Sequence, residues 1–314
     1  MADLDTVFDD ALPPGHRSGV VAVVGRPNVG KSTLINAVLG QKIAIVTPRP
    51  QTTQRRQLGI YTDERCQILF VDTPGLHNPR HKLGEYMVSV AQDALRDADI
   101  ILWVLDASVP PQPGDLHIAD TVKQAAPHTP VILVLNKADL LGGESGRAAA
   151  RAACADLIPH ETTLLLSALH GEGVAELVET LYQRLPLGPR YYPADQVSEV
   201  NMRFIAAEII REQIMLLTEE EIPHAVAVEI ESYAERSADL TYISAVIYVE
   251  RDSQKAIVIG KGGGMIKQIG TAARQQLSDM LGTQVYLDLR VKTLKNWRSD
   301  EALLRRLGYR VPKD

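Results

Sequence analysis

Residues Gly25-Arg26-Pro27-Asn28-Val29-Gly30-Lys31-Ser32 fit the pattern G-x-x-x-x-G-K-[ST], after an apolar run and before a helical one. The chemistry of such a loop is the holding of phosphate. Its glycines let backbone N–H groups curl around a β-phosphate, and the helix N-terminus adds favourable partial charge. Lys31 reaches the β- and γ-oxygens, Ser32 offers a hydroxyl to Mg²⁺, and Thr33 extends the nucleotide-binding set into the first helical turn. Asp72-Thr73-Pro74-Gly75 closes a later apolar run. There the Asp72 carboxylate can reach the metal through water, and the Gly75 N–H can bond a γ-phosphate. Asn136-Lys137-Ala138-Asp139 closes another run. A carboxylate at Asp139 accepts both the N1–H and the exocyclic amino hydrogens of guanine, a donor pair adenine lacks, so it selects GTP over ATP. Ser167-Ala168-Leu169 ends a further run and can meet the guanine O6 edge through its backbone.

Chemistry at four strand ends requires a sheet that brings those ends together. Residues 20–190 alternate apolar, strand-like runs (VVAVVG, QILFVD, DIILWVLDA, VILVLN, TTLLLSAL) with amphipathic helical ones, the pattern of a mostly parallel α/β sheet. RRQLGIYTDERCQILFVD reads as a hairpin turning at Thr62–Glu64, which adds one antiparallel strand. The Pro- and Gly-rich RLPLGPRYYPAD reads as a linker, which sets expected domains at 17–186 and 198–314, with 187–197 between them. After it the order becomes helix, strand, strand, helix, helix, strand, helix: a separate α+β domain.

That second domain holds another glycine loop. Gly260-Lys261-Gly262-Gly263 matches G-x-x-G, is preceded by Ile259, and lies between two helical stretches. KH modules clamp about four nucleotides of backbone with such a loop, and the element order matches the type II KH arrangement. Lys261 supplies charge, and Ile257, Ile259 and Ile266 are candidates for an apolar groove under the bases. Lys267 and Arg274 fall on one helix face, while Arg290 and Lys292 fall on one strand face; all four join the candidate RNA-binding set. Charge supports this reading. The net charge is −6, yet residues 251–314 carry a balance of +7, leaving −13 on the rest. A dearth of aromatics argues against a base-stacking platform.

Other features bound the function. No apolar run approaches the ~18–20 residues that span a bilayer, and the acidic N-terminus lacks the pattern of a signal peptide. Cys66 and Cys154 have no partner at metal spacing and read as structural, which fits a reduced cytoplasmic compartment. Trp103 reads as core. His77 and His81 flank NPR and read as surface histidines rather than a metal pair.

The four motifs together resemble the translation-factor branch of GTPases. Over nearly the whole chain, GRPNVGKSTLIN, QTTQRR, FVDTPGLH, NKAD, EEIPHAVAVEIE, VIGKGG and VKTLKNWRSDE resemble the Era family of bacterial ribosome-assembly GTPases. The resemblance implies GTP and GDP as ligands, Mg²⁺, binding of the 3′ end of small-subunit ribosomal RNA, and a role in maturing the small ribosomal subunit. It implies Thr53, with Thr52 in reserve, as the threonine reaching Mg²⁺ and the γ-phosphate, so that Ser32, Thr53 and Asp72 form the metal set. Leu76 stands where many small GTPases carry a water-orienting glutamine, so slow hydrolysis is expected. Asn28 resembles the asparagine of GTPases that bind K⁺ near the phosphates. The catalytic set is then Lys31, Thr53, Gly75 and Asn28. A monomer is expected, cytoplasmic, with peripheral contact to the inner face of the plasma membrane, although the helix SDEALLRRLGY can pack as easily on its own domain. Two competing readings are a tRNA-modifying GTPase, whose terminal reactive cysteine is missing from GYRVPKD, and a nucleotide-binding RNA scaffold with negligible turnover.

Overall fold

The structure is a computed structural model and describes residues 12–47, 49, 52–55, 57–74, 81–198 and 201–309. Two compact units divide the chain.

Unit 1 is built on a six-stranded sheet of order β2-β3-β1-β4-β5-β6: β1 (Arg17–Val24), β2 (Gln57–Thr62), β3 (Cys66–Asp72), β4 (Ile100–Asp106), β5 (Val131–Asn136) and β6 (Thr162–Leu165). All neighbours pair in parallel except β2, which runs antiparallel to β3 across the turn at residues 63–65. The central strands read as unbroken Val, Ile and Leu because both of their faces are covered. Along β1, Val21 and Val23 join the cluster that includes α1 (Lys31–Leu39) and α5 (Val174–Arg184). Ala22 and Val24 join the opposite cluster, with α2 (Lys82–Arg96), α3 (Pro113–Ala125) and α4 (Gly143–Cys154). Trp103, Cys66 and Cys154 are buried in these layers, and burial pushes the Cys66 thiol up to about 12.

The Pro/Gly-rich segment is strapped to unit 1. Gln67, fully buried, accepts from the Tyr191 and Tyr192 N–H groups at 2.7 and 2.9 Å, and the Ile60 N–H donates to the Val197 carbonyl at 2.8 Å.

Unit 2 has α6 (Met202–Leu217), α7 (Ile222–Ala225), β7 (Ala227–Ser237), β8 (Leu240–Val249), α8 (Asp252–Ile259), α9 (Gly264–Leu281), β9 (Gln284–Thr293) and α10 (Glu301–Arg306). Its sheet runs β7-β8-β9, with β8 antiparallel to β7 and parallel to β9. The one-turn α7, with Pro223 in its first turn, is an element the sequence pattern does not announce. Trp297 is fully buried, donates to the Ala225 carbonyl at 3.1 Å and stacks on Tyr309. The apolar residues of the terminal stretch, Leu304, Leu307 and Tyr309, are buried within this unit. The boundary between units is not one cut at the linker, because Ile45–Thr52 and residues 81–86 also belong to unit 2.

Candidate functional site

The parallel strands of unit 1 deliver their C-terminal ends to one edge, where open α/β sheets bind ligands. The phosphate loop leaves β1 there and α1 begins at Lys31. Gly30 has a φ of 99°, and a β-carbon on it would overlap the Asn136 side chain, so only glycine lets the loop pass this close to β5. Asn136 ties the two together. Its amide donates to the Val29 carbonyl at 2.8 Å, and its carbonyl oxygen accepts from Ala168 N–H at 2.9 Å. Asn28 is exposed, with a φ of 64° that asparagine tolerates.

At the metal end, Asp72 is 1% exposed, and its Oδ2 accepts from Ser32 Oγ at 2.8 Å and Thr53 Oγ1 at 3.2 Å. The two hydroxyls lie 3.3 Å apart. Asp72 Oδ1 is buried without a hydrogen-bond partner. Two hydroxyls and a carboxylate with a spare buried oxygen suit a hard, oxygen-loving cation, so these residues fit Mg²⁺. Lys31 donates to the Gly25 and Arg26 carbonyls at 2.9 and 3.1 Å. Burial lowers the pKa of Lys31, partly offset by Asp72. Burial raises that of Asp72, partly offset by Lys31, Ser32 and Thr53.

The base end is held differently. Ser167 Oγ donates to Asp139 Oδ1 at 2.5 Å, and that bond holds the Asp139 carboxyl below its ordinary range. Lys137 pairs with Asp106 at 2.6 Å. Thr73 donates to the Val23 carbonyl at 2.8 Å, and Pro74 is buried beside it. Thr33 is half-buried on α1, Leu169 is exposed, and Ala168 is buried. Gly75, Leu76 and His77 lie outside the described residues. His81 accepts the Gly84 N–H at 3.1 Å.

A pH dependence follows from the two carboxylates. If Asp72 serves Mg²⁺ it must be ionised to do so, and since burial raises its pKa, Mg²⁺-supported affinity for a GTP analogue should then begin to fall, on acidification, above the usual carboxylate range near ~4. If Asp139 meets the base, affinity for GDP without metal should persist to lower pH, because the Ser167 bond holds that carboxyl below its ordinary range. Calorimetric titrations across pH check this; identical pH profiles for the two ligands would overturn it.

Two partners were invisible to motif reading. Asp106 at the end of β4 anchors Lys137. Asp115, 1% exposed on α3, accepts from Arg26 Nε at 2.8 Å and from Gln112 N–H at 2.9 Å, bracing the phosphate loop against the helix start. The available signal was a capping arrangement, Gln112-Pro113-Gly114-Asp115, with proline at the first helical position.

In unit 2 the second glycine loop lies between α8 and α9. Gly260 has a φ of 74°, and a β-carbon there would come within 2.7 Å of Met265. Lys261 is exposed, as are Lys267 and Arg274 on α9, and Ile259 is half-buried at the end of α8. Arg290 and Lys292 are placed elsewhere. Leu287, Leu289 and Val291 turn toward Ile269, Ala273 and Leu277 of α9, so the alternating Arg290 and Lys292 stand on the opposite sheet face, where both pair with Glu231. The sheet therefore separates them from the loop.

Residues 20–137 match the family model for a 50S ribosome-binding GTPase, and residues 221–298 match that for a KH domain. Among curated proteins, the GTPase Era of Thermotoga petrophila is 49% identical over 295 residues, covering 94% of this chain and 98% of that protein. That of Carboxydothermus hydrogenoformans is 47% identical, with 94% and 98% covered. A crystal structure of Era in complex with MgGDPNP and nucleotides 1506–1542 of 16S ribosomal RNA is similar at a TM-score of 0.87, with 38% identity and coverage of 94% and 99%. A variant of Aquifex aeolicus Era bound to GDP and AlF4⁻ gives a TM-score of 0.88, with 39% identity and coverage of 93% and 99%.

Proposed function

This chain belongs to the Era family of GTPases, and from that membership we propose a GTP-hydrolysing switch whose KH domain holds the 3′ end of small-subunit ribosomal RNA during assembly of the small ribosomal subunit. One juxtaposition carries the reading. Asp139 and Ser167 form a guanine-selective end on the same sheet edge as the Ser32–Asp72–Thr53 group, in a chain that also presents a Gly260–Gly263 loop between two helices. Support also comes from a relative that holds both MgGDPNP and a 16S RNA fragment. The functional boundaries proposed are 17–186 for the GTPase domain, 187–197 for the linker and 198–314 for the KH domain.

Each residue has a role in this reading. Backbone N–H groups of Gly25–Thr33 hold the phosphates, and Lys31 neutralises charge between the β- and γ-groups. Ser32, Thr53 and Asp72 would hold Mg²⁺, which supplies a counter-charge as the γ-phosphate departs. Gly75 offers its N–H to the same group. Asn28 is proposed to help hold K⁺, which would stabilise charge in place of an arginine; equal turnover in sodium and potassium buffers would remove this part. Ile259, Gly260–Gly263, Lys261, Lys267 and Arg274 form the RNA face, and Arg290 and Lys292 are left out of it. Binding of GTP orders the segments at Thr52–Thr53 and Asp72–Leu76, favours the RNA-binding state, and hydrolysis releases it. The protein is taken as a cytoplasmic monomer. No helix of the described residues is long and apolar enough to cross a membrane; any contact with the inner face of the plasma membrane would be peripheral, and sedimentation with anionic vesicles checks it.

The test is RNA binding across salt concentrations. Lys261→Ala should weaken binding to a 16S 3′-terminal fragment and reduce the slope of log affinity against log salt by about one. An unchanged slope would remove the loop from the interface. Equal RNA affinity in the GTP-analogue and GDP states would end the switching part alone.

A further inference from the structure

Arg26, the second residue of the phosphate loop, is held from two sides. From within the loop, its carbonyl accepts from Lys31 Nζ at 3.1 Å. From outside, its Nε donates to Asp115 Oδ2 at 2.8 Å, the two side chains being 25% and 1% exposed. The Arg26 stem passes close over the start of α3, where a β-carbon on Gly114 would come within 2.8 Å of its Cδ. The start of α3 is fixed in turn. Asp115 Oδ2 also accepts the Gln112 N–H at 2.9 Å, and the Gln112 side-chain amide donates to the Pro110 carbonyl at 2.8 Å. All of these residues belong to unit 1. One short connection, residues 107–112, thus leaves Asp106, the partner of Lys137 at the base end, and arrives at Asp115, the partner of Arg26 at the phosphate end.

Capping alone does not explain Asp115. A capping box needs only an acceptor within reach of the N-cap N–H, which an exposed side chain supplies. Here the carboxylate is buried, and its Oδ1 has no hydrogen-bond partner. Burying that charge is expensive in desolvation and is weak as a stability device. It does specify geometry. A charge-assisted bond to a buried, immobile acceptor fixes the guanidinium, and the short stem then limits where the Arg26 backbone can stand. A loop whose N–H groups already converge on one point binds phosphate without first having to be ordered, and a loose one loses affinity to that ordering. We propose that Asp115, acting through Arg26, is a positioning residue for the phosphate loop, holding it ready before nucleotide arrives. This rests on the nucleotide-binding part of the functional reading above, and places a determinant of phosphate affinity outside the four nucleotide motifs.

The experiment measures affinity for GDP and a GTP analogue, and single-turnover hydrolysis at saturating GTP, in the full chain. Arg26→Met and Asp115→Asn should each weaken both nucleotides by roughly 10-fold, and by the same factor, since both carry the β-phosphate that the loop holds. The rate at saturation should stay within about three-fold of the parent, because bound nucleotide orders the loop again. The double variant should cost no more than either single one, and Arg26→Lys, which keeps a cation on the stem, should recover part of the loss. Gly114→Ala displaces the Arg26 stem without changing either charge and favours the helix intrinsically. It should weaken both nucleotides too, and serves where a substitution at Asp115 prevents folding. If Arg26 acted on phosphate by its own charge, Asp115→Asn would remove a competing carboxylate and tighten binding; that result overturns the proposal. Losses for Arg26→Met and Asp115→Asn that simply add overturn it as well, by making the two independent supports. A GTP-binding parent with unchanged variants overturns the proposal alone. A parent preferring ATP would overturn the guanine reading alone, and the same losses measured with ADP would then carry the proposal.

Discussion

Asp139→Asn should lower GTP affinity by on the order of 10³-fold or more and turn the preference toward xanthosine triphosphate. In the proposed reading the carboxylate accepts two donors from guanine, N1–H and the exocyclic amino group. Asparagine retains one acceptor and gains an NH₂ that points at guanine's amino group, leaving donor against donor. Xanthine carries a carbonyl where guanine carries that amino group, so its N1–H and O2 match asparagine's acceptor and donor. Ser167 keeps its bond in either case, because the asparagine oxygen still accepts from its hydroxyl. The fold should therefore be indifferent: Asp139 is exposed, and its described bonds are local to the base-binding edge. Competition binding with guanine, xanthine and adenine nucleotides checks the result. Undiminished GTP affinity would mean that the base does not meet Asp139 at all.

Lys31→Met should abolish turnover, with a loss of about 10³-fold or greater in single-turnover rate, since in the proposed reading Lys31 neutralises charge between the β- and γ-phosphates. Its effect on the free protein should be small. Lys31 is buried, and burial disfavours its charge; the nearby Asp72 carboxylate offsets that cost only in part. Methionine fills similar volume without a charge to desolvate. Asp72, whose carboxyl burial already pushes up, can take a proton and keep its Ser32 and Thr53 donors. The thermal midpoint without nucleotide should thus stay within a few degrees of the parent, and GTP should no longer raise it. A large fall in the nucleotide-free midpoint would assign Lys31 a structural duty instead.

The runs that gather at one sheet edge were legible in the sequence. Gly25–Ser32, Asp72–Gly75, Asn136–Asp139 and Ser167–Leu169 are short contiguous runs at strand ends, and a parallel sheet has only one edge where such ends meet. The hairpin, expected to turn at Thr62–Glu64, turns at residues 63–65, and the helix that opens the second domain is present as Met202–Leu217. Alternation along β9 was read correctly as two faces, one apolar and one charged. Which face the helices α8 and α9 cover was not readable, and the structure sends Arg290 and Lys292 to the other one. The short helix at Ile222–Ala225 escaped because four residues are too few to show a period.

By itself, the order of residues determined the two glycine loops, the placing of Asp139 at a strand end and the sheet that aligns the strands. Each depends on backbone geometry set within about eight residues, and on strand ends that any parallel sheet gathers. Only the tertiary structure decided the supports: Asp115 under Arg26 and Asp106 beside Lys137. Those pairs join residues 89 and 31 positions apart. A partnership at that distance leaves no local period or spacing in the chain, because it exists only once separate elements have packed and buried charges have had to find the nearest group able to satisfy them.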